Sequence, residues 1–119
     1  MNPMLRRIAP LALAAAAAWL GMALLHSFSH ERIARELASS AKAGDITMIS
    51  SVTCPHCLSA RTYFKEHGVV FDECFIENDA SCAATYSMLS LPGTPVLIVR
   101  GERQLGFSAE RVAQRLRQG

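Results

Sequence analysis

The sequence lacks a strong excess of charge of one sign. Twelve Lys and Arg stand against ten Asp and Glu, so the net charge is +2, and the basic residues are scattered apart from Arg6-Arg7. So small a net charge gives no argument for a nucleic-acid partner. The sequence also has no internal repeat and no low-complexity run beyond the alanines at 14–18. With 119 residues, 50% of them hydrophobic and 18% charged, we expect one small domain plus an apolar segment.

A complete set of metal ligands is missing as well. Cys54 and Cys57 form one close pair, but Cys74 and Cys82 are separated by seven residues and no His-x₃₋₅-His run follows them. A zinc site is therefore disfavoured, and no metal is expected. Haem attachment needs a histidine directly after the second cysteine, where Leu58 stands.

A purely structural disulfide in a tight loop remains an alternative, and four cysteines in so short a chain favour an oxidising compartment.

What the sequence does have is Cys54-Pro55-His56-Cys57 between an apolar strand-like run and a helix-like run. Residues i and i+3 of a first helical turn share one face, so the two sulfurs can bond. The unpaired N–H groups and the dipole of a helix start stabilise a thiolate at the first cysteine, which lowers the pKa of that thiol. Pro55 suits the first helical position, and His56 adds a candidate cation. This pattern predicts thiol–disulfide chemistry, with Cys54 and Cys57 catalytic and Pro55 and His56 tuning the redox potential.

From residue 45 the pattern alternates between strands and helices, and a hairpin and a last helix follow. This order predicts a small mixed sheet flanked by helices. The predicted strands are 46–50, 69–76, 96–99 and 104–107; residues 54–67 are predicted to be a loop and a helix, and further helices are predicted at 80–90 and 109–118.

The N-terminal part divides into a short segment 1–7, an uncharged apolar run 8–25 and a helical spacer 26–44 with Ser29 as its N-cap, before a domain at 45–119. At about 1.5 Å per residue, the run 8–25 approaches the ~30 Å hydrocarbon core. A signal peptide is the alternative to a membrane anchor, and the narrow apolar stripe of the spacer leaves a dimerisation helix open. Arg6-Arg7 favour an N-terminus inside the cell, so we expect a single-pass inner-membrane protein with a periplasmic domain.

Residues 45–119 resemble the thioredoxin-like superfold, and the glutaredoxin branch most closely. The resemblance rests on residues 53–57, on Thr94-Pro95 ahead of a strand and on Gly106-Phe107-Ser108 before the final helix. It implies a four-stranded sheet, a cis proline at Pro95 facing the cysteines, and a substrate groove formed by Thr94 and Pro95. It also implies protein thiols or disulfides as substrates, a redox partner, and no cofactor beyond the redox-active disulfide and, as an option, glutathione.

Two features of the sequence differ from those of an ordinary cytosolic glutaredoxin. Cys-Pro-His-Cys looks like the active site of the periplasmic Dsb oxidases, and residues 93–96 look like a segment of the Dsb isomerases. The glutathione pattern survives only as a remnant at Gly106, Phe107 and Ser108, with one glycine and no aspartate. Two rival functions therefore stay open: a non-catalytic metal-binding or assembly module of the same fold, and a cytosol-facing glutaredoxin.

The remaining cysteines and histidines have less defined roles. Cys74 and Cys82 are expected to be either buried small hydrophobes or a structural disulfide. His26, His30 and His67 are expected to be surface or interfacial residues outside any ligand set.

Overall fold

The computed structural model describes residues 2–119, with no side-chain description for Leu5. Met1, part of the predicted segment 1–7, lies outside the described residues. The elements are α1 (Pro3–Ser40), β1 (Ile46–Ser50), α2 (Pro55–Glu66), β2 (Asp72–Phe75), α3 (Ala80–Leu89), β3 (Val96–Val99), β4 (Glu102–Leu105) and α4 (Ala109–Gln118).

The four strands form one mixed sheet in the order β2-β1-β3-β4. The pairing of β1 with β2 is parallel, whereas β3 is antiparallel to both β1 and β4. Parallel pairing requires a crossover connection, which α2 supplies. The predicted four-stranded mixed sheet flanked by helices is confirmed.

Two hydrophobic clusters lie on opposite faces of this sheet, because side chains alternate along each strand. The larger cluster joins the C-terminal end of α1 with α2, α4 and the inward side chains of β1 and β3, and Phe64, Met48 and Leu97 at its centre are fully buried. The smaller cluster joins Ile49 and Val96 to α3. β1 is thus buried on both sides, which fixes the strand that leads into Cys54.

The long helix α1 takes part in both compact units of the chain, which divide after Arg32. Ser29 lies inside this helix, so the prediction that it is an N-cap is wrong. No glycine or proline occurs between residues 22 and 40 to interrupt the helix. Within the second unit, Ile33–Gly119, Ala34 and Leu37 are buried in the larger cluster, so residues predicted to belong to a spacer contribute to the core.

The fourth strand begins two residues earlier than predicted. Arg100 and Gly101 have φ values of 48° and 85°, and Val99 pairs directly with Glu102. Two consecutive residues with positive φ form the tight turn that suits a two-residue hairpin, so the strand starts at Glu102 rather than at Gln104. The second strand is also shorter than predicted: it is confined to Asp72–Phe75, the residues that pair with β1.

A carboxylate on β2 connects the end of β1 to α2. Glu73 accepts a hydrogen bond of 2.7 Å from Ser50 Oγ at the end of β1. It also accepts two hydrogen bonds of 2.7 Å from the guanidinium group of Arg61 on α2. Burial raises the pKa of Glu73, but the hydrogen bonds from Arg61 and Ser50 outweigh burial, so the pKa is lowered overall. The carboxylate is therefore the form that holds the three elements together.

We predict that Glu73→Gln destabilises the domain at neutral pH by roughly 1–3 kcal/mol, because it removes charge-assisted hydrogen bonds from a partly buried site. Since the pKa of Glu73 is depressed in the folded state, its contribution is fully present above the unfolded value of ~4.3 and is lost as pH falls through the folded value. Urea unfolding of both proteins should therefore show a gap at pH ~7 that narrows below pH ~4.

Glu66→Gln is the matched control, because Glu66 is an exposed carboxylate at the end of α2. It should change the free energy of unfolding by less than about 0.5 kcal/mol. A Glu73→Gln protein as stable as the wild type at neutral pH would show that the carboxylate does not connect the three elements.

Candidate active site

The cysteine pair lies where the chain passes from β1 into α2. Cys54 has extended backbone angles (φ −92°, ψ 108°) and is the N-cap of α2, and Pro55 occupies the first helical turn. Proline fits this place because the N–H that it lacks would have no partner in the helix. The motif Cys54–Cys57 therefore coincides with a helix start, as the sequence predicts.

The two sulfurs lie on the same side of this first turn. Their Sγ atoms are 2.34 Å apart and their Cα atoms 5.2 Å apart, as a disulfide. The backbone N–H of Cys57 donates a hydrogen bond of 3.1 Å to Cys54 Sγ. Cys54 Sγ thus takes the position that a side-chain oxygen has in an ordinary N-cap. It accepts a hydrogen bond from an N–H group that would otherwise be unpaired.

The two cysteines differ in their access to solvent. Cys57 is 0% exposed, whereas Cys54 is only half-buried. A substrate disulfide can therefore reach Cys54 Sγ and cannot reach Cys57 Sγ unless the helix moves. The arrangement suits an exposed attacking sulfur and an interior sulfur that completes the exchange.

The segment before β3 faces this pair. Cys54 Sγ lies 3.5 Å from the carbonyl oxygen of Thr94, the Thr94–Pro95 peptide bond is cis, and Pro95 is buried. A groove of about 500 Å³ runs beside it and contains several of the predicted site residues. Its lining includes His56, Ser59, Thr94, Pro95, Gly106 and Phe107.

Ser108 has a different role from its neighbours in the predicted glutathione remnant. It is the N-cap of α4, where its Oγ accepts a hydrogen bond of 3.4 Å from Arg111 N and donates one of 3.1 Å to Glu110 Oε2. Its hydroxyl is thus engaged in capping, while Gly106 and Phe107 line the groove.

Sequence reasoning missed a second carboxylate that holds the loop ahead of Cys54. Glu77 accepts hydrogen bonds from Ser51 Oγ and, at 3.2 Å, from Val52 N. The hydrogen bond from Ser51 is the main reason why the pKa of Glu77 is lowered. The parallel pairing of the first two strands could have indicated this contact, because it brings residues after β2 next to residues after β1.

An apolar rim surrounds the exposed side of Cys54. Val52 is 58% exposed and Leu58 57% exposed, although both are large hydrophobic residues. Together with Pro55 and Arg61 they line a shallow hollow of about 400 Å³ next to Cys54. Apolar side chains clustered beside a reactive sulfur are typical of a surface that meets another protein.

The other two cysteines lie in the smaller cluster, on the α3 side of the sheet. Cys74 on β2 and Cys82 in the first turn of α3 are joined by a disulfide with an Sγ–Sγ distance of 2.02 Å. Of the two alternatives left by the sequence, the structure contains the bonded pair, and residues 2–119 contain no free cysteine. Within those residues, no group of three or more His, Cys, Asp or Glu side chains converges on a metal position.

Known proteins share this architecture. The glutaredoxin family model matches residues 46–104. A point mutant of the thioredoxin-like protein BC3987 has a TM-score of 0.55 at 24% identity, covering 62% of this chain and 96% of that one. The glutaredoxin of Archaeoglobus fulgidus has a TM-score of 0.50 at 22% identity, covering 63% of this chain and 88% of that one.

The glutaredoxin-like NrdH-redoxin of Escherichia coli has a TM-score of 0.52 at 17% identity, covering 58% of this chain and 91% of that one. No curated protein sequence matches the chain. At these identities the solved structures establish the fold alone, and the residues that the family model matches include the Cys54–Cys57 pair. The chain therefore contains a domain with a thioredoxin-like, glutaredoxin-type fold, and its Cys-x-x-Cys pair supports thiol–disulfide redox chemistry.

Proposed function

We propose that this chain is a membrane-anchored thiol–disulfide oxidoreductase that acts on protein substrates in the periplasm. The observation that carries the proposal is the pairing of a half-buried Cys54, at the start of α2, with a fully buried Cys57. In the reduced protein, the N–H of Cys57 and the dipole of α2 stabilise the Cys54 thiolate, which is the nucleophilic form of cysteine.

The exchange then takes two steps. The Cys54 thiolate attacks one sulfur of a substrate disulfide, forms a mixed disulfide and releases the other substrate sulfur as a thiolate. The Cys57 thiolate next attacks Cys54 Sγ, which forms the Cys54–Cys57 disulfide and releases the reduced substrate. Two electrons pass to the substrate, and the same steps in reverse pass a disulfide from this chain to a substrate dithiol.

The neighbouring side chains have supporting roles in this scheme. His56 is exposed in the first turn of α2, where a positive charge would favour the thiolate and make the disulfide more oxidising. The backbone of Thr94 and the ring of Pro95 form the wall along which an extended substrate chain lies, as in the family that the domain resembles.

A protein substrate fits the site better than glutathione. The apolar rim of Val52 and Leu58 offers contact area to a folded or extended protein chain. The glutathione remnant lacks an aspartate, and the hydroxyl group of Ser108 is already used to cap α4. Gly106 and Phe107 are accordingly assigned to the substrate groove rather than to a dedicated glutathione site.

The periplasmic placement is supported by α1 and by the second disulfide. The segment Arg6–Ser40 contains a window with mean hydropathy 2.0 that is 0% buried, so by length and composition α1 can cross a membrane. A signal sequence satisfies the same criterion, but this apolar run is longer than a typical signal core. The Cys74–Cys82 disulfide suits a compartment in which thiols stay oxidised.

We predict that Cys57→Ala accumulates covalent complexes with substrate proteins, because the mixed disulfide forms and no second thiol resolves it. Cys54→Ala should trap none, since Cys57 is inaccessible. The measurement is a non-reducing gel of each variant expressed in a bacterial periplasm, with the Cys54→Ala/Cys57→Ala double variant as the matched control. Equal trapping by the two single variants would contradict the assignment of roles.

The membrane placement has its own test. Alkaline phosphatase fused after Gly119 should be active, because Arg6 and Arg7 retain the N-terminus in the cytoplasm and the domain crosses the membrane. The Arg6→Gln/Arg7→Gln variant should lower this activity, since it weakens the charge bias. Phosphatase inactivity together with an active cytoplasmic reporter at the same position would reverse the topology, and a shortened mature chain would identify a signal peptide.

A further inference from the structure

Two histidines of α1 face each other one helical turn apart. His26 Nε2 and His30 Nε2 are joined by a hydrogen bond of 2.8 Å, and the two ring planes meet at 78° with their centroids 4.3 Å apart. Both residues are exposed, and both lie in the N-terminal compact unit. Side chains four residues apart on a helix lie on the same face, which is why the rings converge.

The same spacing allows both nitrogen atoms to bind one metal ion if the ion takes the place of the proton that they share in this hydrogen bond. Imidazole nitrogen binds transition metals at about 2.0–2.1 Å, so two nitrogens 2.8 Å apart subtend an angle of about 85–90° at a shared metal ion. This angle matches adjacent positions of the tetragonal geometry that Cu(II) prefers, and it is smaller than the tetrahedral angle that Zn(II) prefers. Water molecules can complete the coordination because the pair is exposed.

A thioether sulfur lies on the same stretch of helix, at Met22. Met22 precedes His26 by one turn and lines a shallow hollow together with His26 and Ser29. Thioether sulfur is a soft ligand that occurs as a weak axial ligand of copper and is a poor ligand for harder cations. Copper also has the highest affinity of the divalent first-row metals for a given nitrogen site.

We propose that His26 and His30 form a binding site for one Cu(II) ion, with both Nε2 atoms as ligands. The site is separate from the cysteine pair, and it replaces the sequence-based expectation that these two histidines lie outside any ligand set. That expectation considered only ligands following the cysteines and overlooked the spacing of four residues within a helix.

The test uses the full chain in detergent micelles, with both disulfides intact so that no thiolate competes for copper. Cu(II) is supplied from copper sulfate in the presence of glycine as a competing chelator, and the dissociation constant and the electron paramagnetic resonance spectrum are measured. We expect one ion per chain and a spectrum split by two equivalent nitrogens. Even outer-shell partners contribute roughly 10–100-fold to metal affinity, so losing a direct ligand through His26→Gln or His30→Gln should weaken binding by at least roughly tenfold.

Two control variants test whether copper affinity depends on the placement of the two histidines or only on the number of histidines in the chain. His67→Gln removes a histidine at the end of α2 and should leave copper affinity unchanged. The His30→Gln/Glu31→His variant keeps four histidines but places two of them on different faces of α1, so it should bind as weakly as His30→Gln. Wild-type affinity in either single variant or in this displaced variant would overturn the proposal, as would tighter binding of Zn(II) than of Cu(II). Far-UV circular dichroism should show unchanged helix content throughout.

Discussion

The hydrogen bond from the backbone N–H of Cys57 to Cys54 Sγ is the interaction on which the site depends. It makes a sulfur atom the cap of α2, so one N–H group that the helix would leave unpaired donates to the sulfur that we propose as the nucleophile. The same geometry leaves Cys57 in the interior and Cys54 accessible. The proposed nucleophile and its partner thus come from four consecutive residues, and their geometry depends on the position of the helix start.

The start of α2 is held in position by β1 and by two carboxylates, Glu73 on β2 and Glu77 just after β2. β1 is buried on both faces, so its end at Ser50 has a fixed position. Glu73 connects that end to α2, and Glu77 fixes the loop between them through Ser51 and Val52. Both carboxylates have lowered pKa values, so they stay charged to a lower pH than an unperturbed glutamate does. On the opposite face of the sheet, the Cys74–Cys82 disulfide ties β2 to α3.

The sequence predicts the parts of this structure that depend on local patterns. The strand–loop–helix around Cys54 and the flanked mixed sheet follow from hydrophobic periodicity and from helix-start chemistry. The start of β4 could not be derived in that way, because it depends on a turn with positive φ at Arg100, a residue that seldom adopts this conformation. The roles of Glu73 and of Leu37 were also hidden, because both depend on contacts between segments that are distant in sequence.

In the proposed mechanism, the start of α2 stabilises a thiolate at Cys54 and not at Cys57. Its most direct test is the rate at which each cysteine of the reduced protein is alkylated by iodoacetamide, measured by peptide mass spectrometry as a function of pH. We expect alkylation of Cys54 to titrate with a midpoint well below the ~8.5 of a free thiol, while Cys57 stays largely unmodified. A Cys54 midpoint at or above ~8.5, or equal rates at both cysteines, would contradict it.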